Sequence, residues 1–291
     1  MKVVSAFTSL MILMSPALFA KDLNVVASFS VLGDMVKVVG GEHVRVVSLV
    51  GPNGDPHVFQ PSPKDSQALL KADAVFVSGL GMEGWMDRLI EASGFKGEKV
   101  VASTNISSRN MVEDGKQITD PHAWNSAKNA ATYVSNIMHA LIAQDPEDKA
   151  YYELRGKAYI AELNALDSWA KNEFAKIPQS KRKVLTSHDA FGYFGKEYGV
   201  SFLSPVGFST ESEASANDVA KLIQQMKSEH IKTYFIENQT DPRLVKQIAS
   251  ESGAVSGGEL FPEALTTNDG PAGTYVDAFT HNVSAMLNSM K

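Results

Sequence analysis

Residues 146–177 read PEDKAYYELRGKAYIAELNALDSWAKNEFAKI, and this run organises the whole chain. After Pro146 it contains no proline and one glycine, Gly156, and its apolar residues recur at helical spacing. The pattern predicts one helix of about 30 residues, roughly 45 Å long at 1.5 Å per residue. Because a single compact lobe does not need so long a helix, we expect a spine over 146–177 that joins two lobes, 21–145 and 178–291.

Short valine-rich runs alternate with helical patterns on both sides of this spine. The runs that predict strands are 23–29, 44–50, 74–77, 99–102, 183–186, 201–203, 233–236 and 254–256. The helical patterns cover 31–39, 65–71, 86–92, 217–230, 242–252 and 274–290, and Ser62-Pro63-Lys64-Asp65 is typical of a helix start. Apolar runs of this kind suit strands buried on both faces. The sequence therefore predicts an α/β fold of two lobes, each with a mostly parallel sheet flanked by helices, joined by one long spine helix.

The first 20 residues have the pattern of a signal peptide. One charge, Lys2, precedes an apolar stretch from Val3 to Met14 that is too short to span a bilayer, and Ala20 is a small residue at the expected cut. The chain has no cysteine. We therefore expect an exported protein of a bacterial periplasm that has no disulfide and no lipid anchor and is stabilised by a sizeable core.

The charge balance argues against a nucleic-acid partner. Without Lys2, 26 lysines and arginines face 33 acidic residues, a net charge of −7. No segment is rich enough in lysine and arginine to form a basic patch, so we expect no binding to nucleic acid.

Three histidines, His57, His122 and His188, follow predicted strands. They lie in the segments Gly54-Asp55-Pro56-His57, Asp120-Pro121-His122-Ala123-Trp124 and Ser187-His188-Asp189-Ala190-Phe191. Gaps of 65 and 66 residues exclude a zinc finger or a helical HExxH pair, so tertiary structure must assemble any shared site. Ligands of open parallel sheets bind beyond the carboxyl ends of the strands. Two facing sheets would thus bring three imidazoles, common ligands of transition metals, around one cation.

A fourth ligand is expected from an acidic residue at another strand exit. Glu263, in Leu260-Phe261-Pro262-Glu263-Ala264, is an acid in an apolar setting and is the preferred candidate. Glu237, at the end of the strand 233–236, is the alternative, either as a ligand or as the acceptor of an imidazole N–H. The same acceptor role is open to Asp55, Asp120 and Asp189, although forming local turns is the commoner role of such residues.

Other side chains are expected around the site rather than in it. The remaining histidines, on predicted helices or near a strand start, are His43, His139, His230 and His281. The aromatic residues expected to keep water from the site are Trp124, Phe191, Tyr193 and Phe194.

These segments resemble the metal-binding solute receptors of bacterial ABC importers for zinc and manganese, the solute-binding protein family 9. The resemblance covers nearly the whole chain after residue 20. It is carried by 54–63 (GDPHVFQPSP), 120–124 (DPHAW), 188–194 (HDAFGYF) and 270–275 (GPAGTY) together. It implies two α/β lobes with a divalent metal ion held between them, and a membrane permease with its cytoplasmic ATPase as partners. The ligand positions it implies are His57, His122, His188 and the acid after Leu260-Phe261.

The resemblance also bears on which metal is bound. In this family a histidine at the position of His188 goes with zinc, whereas a carboxylate there goes with manganese, and ligand softness agrees. The fourth position is commonly aspartate, so Glu263 is a small departure. Zinc-type members often carry a histidine-rich loop before the second ligand, but 103–119 contains no histidine. We expect a periplasmic, high-affinity receptor for Zn²⁺, with manganese or iron as the alternative.

Two other classes of protein remain open at this point. Three histidines with one open position also form a catalytic shell, as in a zinc hydrolase or hydratase. The chain has no HExxH motif, no Gly-x-Ser-x-Gly elbow and no evident general base beside a ligand. A surface adhesin with an incidental metal site is the third possibility. We expect a binding protein rather than an enzyme and, as the default for a periplasmic receptor, a monomer.

Overall fold

A computed structural model describes residues 22–113, 116–210 and 214–291. The predicted signal peptide, 1–20, lies outside the described residues and stays a prediction. Within the described ranges, no helix combines the length and apolar character needed to cross a membrane.

The first parallel sheet is built from the N-terminal third of the chain. Its strands are β1 (Leu23–Phe29), β2 (Val44–Val50), β3 (Ala74–Val77) and β4 (Glu98–Val101), in the order β2-β1-β3-β4. The helices around it are α1 (Ser30–Gly40), α2 (Pro63–Leu70), α3 (Met86–Ser93) and α4 (Ala127–Gln144). Val25 lies opposite Val46 of β2 and Ala74 of β3. Consecutive residues of β1, such as Val25 and Val26, are both buried, which explains the unbroken apolar run.

The second parallel sheet is built from the C-terminal part. Its strands are β7 (Lys183–Leu185), β8 (Ser201–Leu203), β9 (Thr233–Glu237) and β10 (Val255–Leu260), in the order β10-β9-β7-β8. The helices that follow these strands are α6 (Gly192–Tyr198), α7 (Ala216–Ser228), α8 (Arg243–Ser252) and α9 (Tyr275–Ser289). Together the two sheets and their helices confirm the predicted fold class.

The spine is α5 (Lys149–Ala175), a helix of 27 residues preceded by a 3₁₀ turn over Pro146–Asp148. It packs against α1 and α4 of the first lobe and against α6 and α9 of the second. Gly156 allows α4 to approach closely, because a Cβ added there would lie 2.6 Å from the Met138 sulfur. The limits of the two lobes remain a prediction.

The two lobes share a continuous apolar interior. This core runs from β1 and α1 through α4 and α5 to α9, so side chains as distant in sequence as Val25 and Met286 belong to it. The C-terminal helix also contacts the first lobe by hydrogen bonds. The backbone N–H of Tyr275 donates to Asp34 at 2.8 Å, and its hydroxyl donates to the carbonyl of Trp124 at 2.7 Å. Such packing favours small shifts between the lobes over a wide hinge motion.

The capping box at Ser62 and Asp65 is confirmed, whereas three other local features differ from or extend the sequence prediction. An antiparallel hairpin of β5 (Asn110–Glu113) and β6 (Lys116–Thr119) and the short helix α6 were not predicted. The hairpin is mostly polar and lacks an apolar run, so it gives no strand signal. Strand β10 extends beyond the predicted 254–256 through a register shift between Ser256 and Glu259.

Candidate metal centre

Three imidazoles converge on a single carboxylate oxygen where the two lobes meet. The Nε2 atoms of His57, His122 and His188 each lie 2.8 Å from Oε1 of Glu263. The Nε2 atoms of His57 and His122 are 3.3 Å apart, and all four ligand atoms lie within 4.8 Å of one another. Bonds of about 2.1 Å in a tetrahedral zinc site place the ligand atoms about 3.4 Å apart. The Nε2–Oε1 distances are hydrogen-bond distances, about 0.6 Å shorter than this, so a small outward shift of the side chains gives the cluster the dimensions of a divalent-metal shell.

His57 is presented by the loop that leaves β2. The carboxylate of Asp55 accepts the backbone N–H of His57 at 2.8 Å, which tightens the turn before the ligand. The indole N–H of Trp85 donates to the carbonyl of Pro56 at 2.9 Å and ties the same loop to α3. Asp55 therefore holds the backbone of the turn, which is the commoner of the two roles that the sequence left open for it.

His122 follows the β5–β6 hairpin and is fully buried. Its backbone N–H and its ring Nδ1 both contact Oδ1 of Asp120, at 3.0 and 2.9 Å, which leaves Nε2 free to face the centre. Arg109 donates to the other oxygen of Asp120 at 2.5 Å. Gly192 leaves room for this pair, since a Cβ there would lie 1.2 Å from an Arg109 nitrogen. Arg109 was not among the predicted residues.

His188 lies just beyond β7, and Glu237 at the end of β9 holds it. Oε1 of Glu237 accepts the backbone N–H groups of Ser187 and His188 at 3.0 and 3.3 Å. Oε2 of Glu237 contacts Nδ1 of His188 at 2.5 Å. Of the two roles predicted for Glu237, the structure therefore places it as the acceptor behind a histidine. Asp189 instead donates its backbone N–H to the Gly207 carbonyl at 3.1 Å.

Glu263 lies in the loop after β10 and is fully buried. The indole N–H of Trp124 donates to the carbonyl of the preceding Pro262 at 2.7 Å, which links this loop to the segment of His122. While Oε1 faces the imidazoles, Oε2 accepts a hydrogen bond from Nε2 of Gln239 at 3.3 Å. Gln239 was not predicted. Its position two residues beyond Glu237, at a strand exit, is the signal that could have found it.

The buried charges shift the pKa values of the cluster. Burial alone would lower the pKa of His122, but hydrogen bonds to Asp120 and Glu263 outweigh it and raise this pKa to about 9. Burial likewise opposes protonation of His188, yet the charges of Glu237 and Glu263 raise its pKa well above the ordinary value. Burial would raise the pKa of Glu263, but the neighbouring imidazoles hold it well below its usual value. At His122 and His188 a proton therefore competes with a cation for the ring nitrogen.

The surroundings combine an apolar wall with an opening. The ring of Trp124 lies 5.6 Å from that of His122, and Phe208 lies 5.9 Å from His57. Phe191 and Phe194 pack on Phe202 in the core instead, so the predicted wall is only partly as expected. A cavity of about 690 Å³ adjoins the centre and is lined by Asp55, Val58, His188, Thr210 and Gln239, among others.

Two of the other histidines have contacts of their own, and a third is exposed. His43 pairs with Asp148 and stacks on Tyr151 at 4.1 Å. Together with Asp145, the residues His43 and Asp148 form a second group of side chains with ligand atoms within 4.8 Å of one another, at the α4–α5 junction. The ring of His281 contacts the carbonyl of Glu259 at 3.0 Å. His139 lies exposed on α4.

Two parallel α/β sheets, a long connecting helix and a buried His₃–carboxylate cluster define a class, the metal-binding receptors of ABC importers. The family model described as zinc-uptake complex component A, periplasmic, matches residues 25–289. The chain belongs to that family, whose members are substrate-binding receptors rather than enzymes. The resemblance stated from the sequence is thereby confirmed.

Relatives of the chain carry the names of three different metals. Over 277 residues the chain is 32% identical to the manganese-binding lipoprotein MntA of Bacillus subtilis, covering 93% of this chain and 90% of the relative. It is 32% identical over 262 residues to the iron ABC transporter substrate-binding lipoprotein MtsA of Streptococcus pyogenes, covering 87% and 84%. The solved periplasmic zinc binding protein TroA of Treponema pallidum superposes with a TM-score of 0.87 at 28% identity, covering 92% and 99%. Both curated relatives are lipoproteins, and the absence of a lipid anchor here stays a prediction.

Proposed function

We propose that this protein is a periplasmic receptor that captures Zn²⁺ and delivers it to the permease and ATPase of an ABC importer. Its ligands are His57, His122, His188 and Glu263. The observation that carries the proposal is the convergence of three imidazole Nε2 atoms on one oxygen of Glu263, each at 2.8 Å. Side chains arranged in this way bring four metal-ligand atoms together inside a buried polar cluster.

The donor set supports zinc over the other two metals. Three neutral imidazoles and one carboxylate oxygen make a four-coordinate shell of the kind zinc prefers, whereas manganese favours oxygen donors. Asp120 and Glu237 accept N–H groups from two of the imidazoles and so orient Nε2 toward the metal. Manganese, for which the relative MntA is named, is the alternative cargo.

Capture links the two lobes. His57 and His122 come from the first lobe (21–145), and His188 and Glu263 come from the second (178–291). A cation bound to all four lowers the free energy of one arrangement of the lobes, which is the arrangement the importer recognises. Because α5 and the shared core restrain the lobes, the difference between the two arrangements is a small shift.

Titration calorimetry of the metal-stripped protein tests this proposal. We expect one equivalent of Zn²⁺ to bind with sub-micromolar affinity, and His122→Ala to abolish that binding. His139→Ala is the matched control, because His139 is exposed on α4. If neither Zn²⁺ nor Mn²⁺ binds the unsubstituted protein at micromolar concentration, the proposed function is wrong.

A further inference from the structure

The two oxygens of Glu263 have different partners. Oε1 lies 2.8 Å from each of the three imidazole Nε2 atoms. Oε2 accepts a hydrogen bond from Nε2 of Gln239 at 3.3 Å. Only one oxygen of this carboxylate therefore faces the centre of the cluster, and the side-chain amide of Gln239 occupies the other.

The backbone around Gln239 is held in place. Gln239 lies just after β9, between Asn238 and Thr240. The side-chain amide of Asn238 donates to Asn53 at 3.0 Å and to the carbonyl of Ala264 at 3.1 Å. The backbone N–H of Thr240 donates to the Glu237 carbonyl at 3.2 Å. These bonds connect the Gln239 loop to both lobes and to the loop that carries Glu263. The position of the amide is thus set by the same elements that build the metal centre.

The orientation of the amide is set by Glu263. Oε1 of Gln239 is buried and has no hydrogen-bond partner among residues 22–113, 116–210 and 214–291. Turning the amide over would place this oxygen against Oε2 of the carboxylate, which is repulsive, and would leave the N–H₂ group without its acceptor. The amide therefore presents its N–H to Glu263.

We propose that Gln239 is a specificity-determining positioning residue: by occupying Oε2 it keeps Glu263 a one-oxygen ligand and the metal shell four-coordinate, which favours zinc over manganese. This inference rests on the proposed function. A glutamate free at both oxygens can bind a cation with both, as some carboxylates do around larger, oxygen-preferring ions. The resulting five-donor shell suits manganese better than zinc.

The test substitutes Gln239→Met, which keeps the length of the side chain and removes the donor. Gln225→Met is the matched control, because Gln225 donates to Glu229 at 2.9 Å on an exposed part of α7. The Kd values for Zn²⁺ and for Mn²⁺ are measured on the metal-stripped full chain by competition with a chelator. We expect Q239M to weaken zinc binding about tenfold, as for other residues behind metal ligands, and to leave manganese binding equal or tighter. The control should change neither Kd.

Absorption spectra of the Co²⁺-loaded proteins provide a readout that a purely structural role would not change. Unsubstituted protein and Q225M should show the intense bands of four-coordinate cobalt, and Q239M the weaker bands of five-coordinate cobalt. Equal losses of zinc and manganese affinity with an unchanged cobalt spectrum would overturn the inference, although the proposed function would stand.

A measurement on the unsubstituted protein covers the case in which Q239M does not fold. X-ray absorption at the zinc edge should count four ligands, with one carboxylate oxygen among them. A fifth ligand from the second oxygen of Glu263 would contradict the role of Gln239. Failure to bind any zinc would instead contradict the proposed function, so the two outcomes are distinguishable.

Discussion

Glu237 holds His188 at two points: one carboxylate oxygen accepts the backbone N–H at 3.3 Å, and the other contacts ring Nδ1 at 2.5 Å. The carboxylate comes from the end of β9 and the histidine from the loop after β7, two neighbouring strands of the second sheet. In the neutral ring that a metal requires, this contact keeps the proton on Nδ1 and leaves Nε2 facing Glu263. Metal affinity should therefore depend on a residue that does not touch the metal.

Replacing this carboxylate tests that dependence. We expect Glu237→Gln to weaken zinc binding by about 10- to 100-fold, because an amide N–H₂ facing Nδ1 favours the tautomer with its proton on Nε2. Glu251→Gln, on the exposed part of α8, is the control and should bind zinc like the unsubstituted protein. Calorimetric titration measures both. Unchanged affinity in E237Q would show that the contact does not orient the ring.

The third histidine should set metal preference. His188→Glu replaces an imidazole by a carboxylate, and we expect the ratio of the zinc and manganese Kd values to move toward manganese by at least about tenfold. Competition between the two ions for the metal-stripped variant measures the ratio, with His139→Glu as the control. If the ratio stayed the same, the argument for zinc from His188 would fail.

Binding should release protons. The pKa of His122 is about 9 because Asp120 and Glu263 outweigh the effect of burial, so at pH 7 its ring is protonated in the metal-free protein. A ligand imidazole must be neutral, and zinc affinity should therefore rise about tenfold per pH unit for each proton released, up to about pH 9. Calorimetry in buffers of different ionisation enthalpy counts the protons. An affinity that is constant from pH 7 to 9 would contradict this pKa assignment.

A hydrogen bond across the mouth of the site should slow the release of metal. The hydroxyl of Thr210 donates to Oδ2 of Asp55 at 2.6 Å, which joins the second lobe to the His57 loop. Thr210→Val removes a bond that contributes about 1 kcal/mol, so we expect zinc to dissociate roughly fivefold faster. Stopped-flow release into a chelator measures the rate. Thr104→Val is the control. It removes a hydrogen bond from the Thr104 hydroxyl to the Val101 carbonyl, 2.7 Å long, that lies within the first lobe, so the rate of zinc release should not change.

The spine offers a matched pair of leucines for stability. Leu163 is fully buried on α5, whereas Leu154 on the same helix is 73% exposed. We expect Leu163→Ala to lower the free energy of unfolding by about 2–5 kcal/mol through lost burial and a cavity. Leu154→Ala should change it by less than about 0.5 kcal/mol. Urea denaturation monitored by circular dichroism measures both, and equal effects would mean that α5 does not bury this face as described.

Much of the fold could be predicted because its elements are strongly periodic and buried. The spine, both sheets and the capping box at Ser62 follow from local patterns: helical spacing over 146–177, apolar runs for doubly covered strands, and an acid three residues after a serine. The β5–β6 hairpin and α6 were missed because one is polar and the other is only seven residues long, so neither has a clear period.

The sequence by itself determined the residue types that can hold a divalent metal and their positions at strand exits, because parallel strands bring their carboxyl ends to one edge. Tertiary structure alone decided which carboxylate faces the imidazoles and which supports them from behind. Glu237 ends one strand of the second sheet and Glu263 follows another, and no local signal separates their roles. Which carboxylate faces the imidazoles depends on the directions of the side chains in the folded protein. These directions are set where residues more than 200 positions apart in sequence, such as His57 and Glu263, come within 2.8 Å of each other.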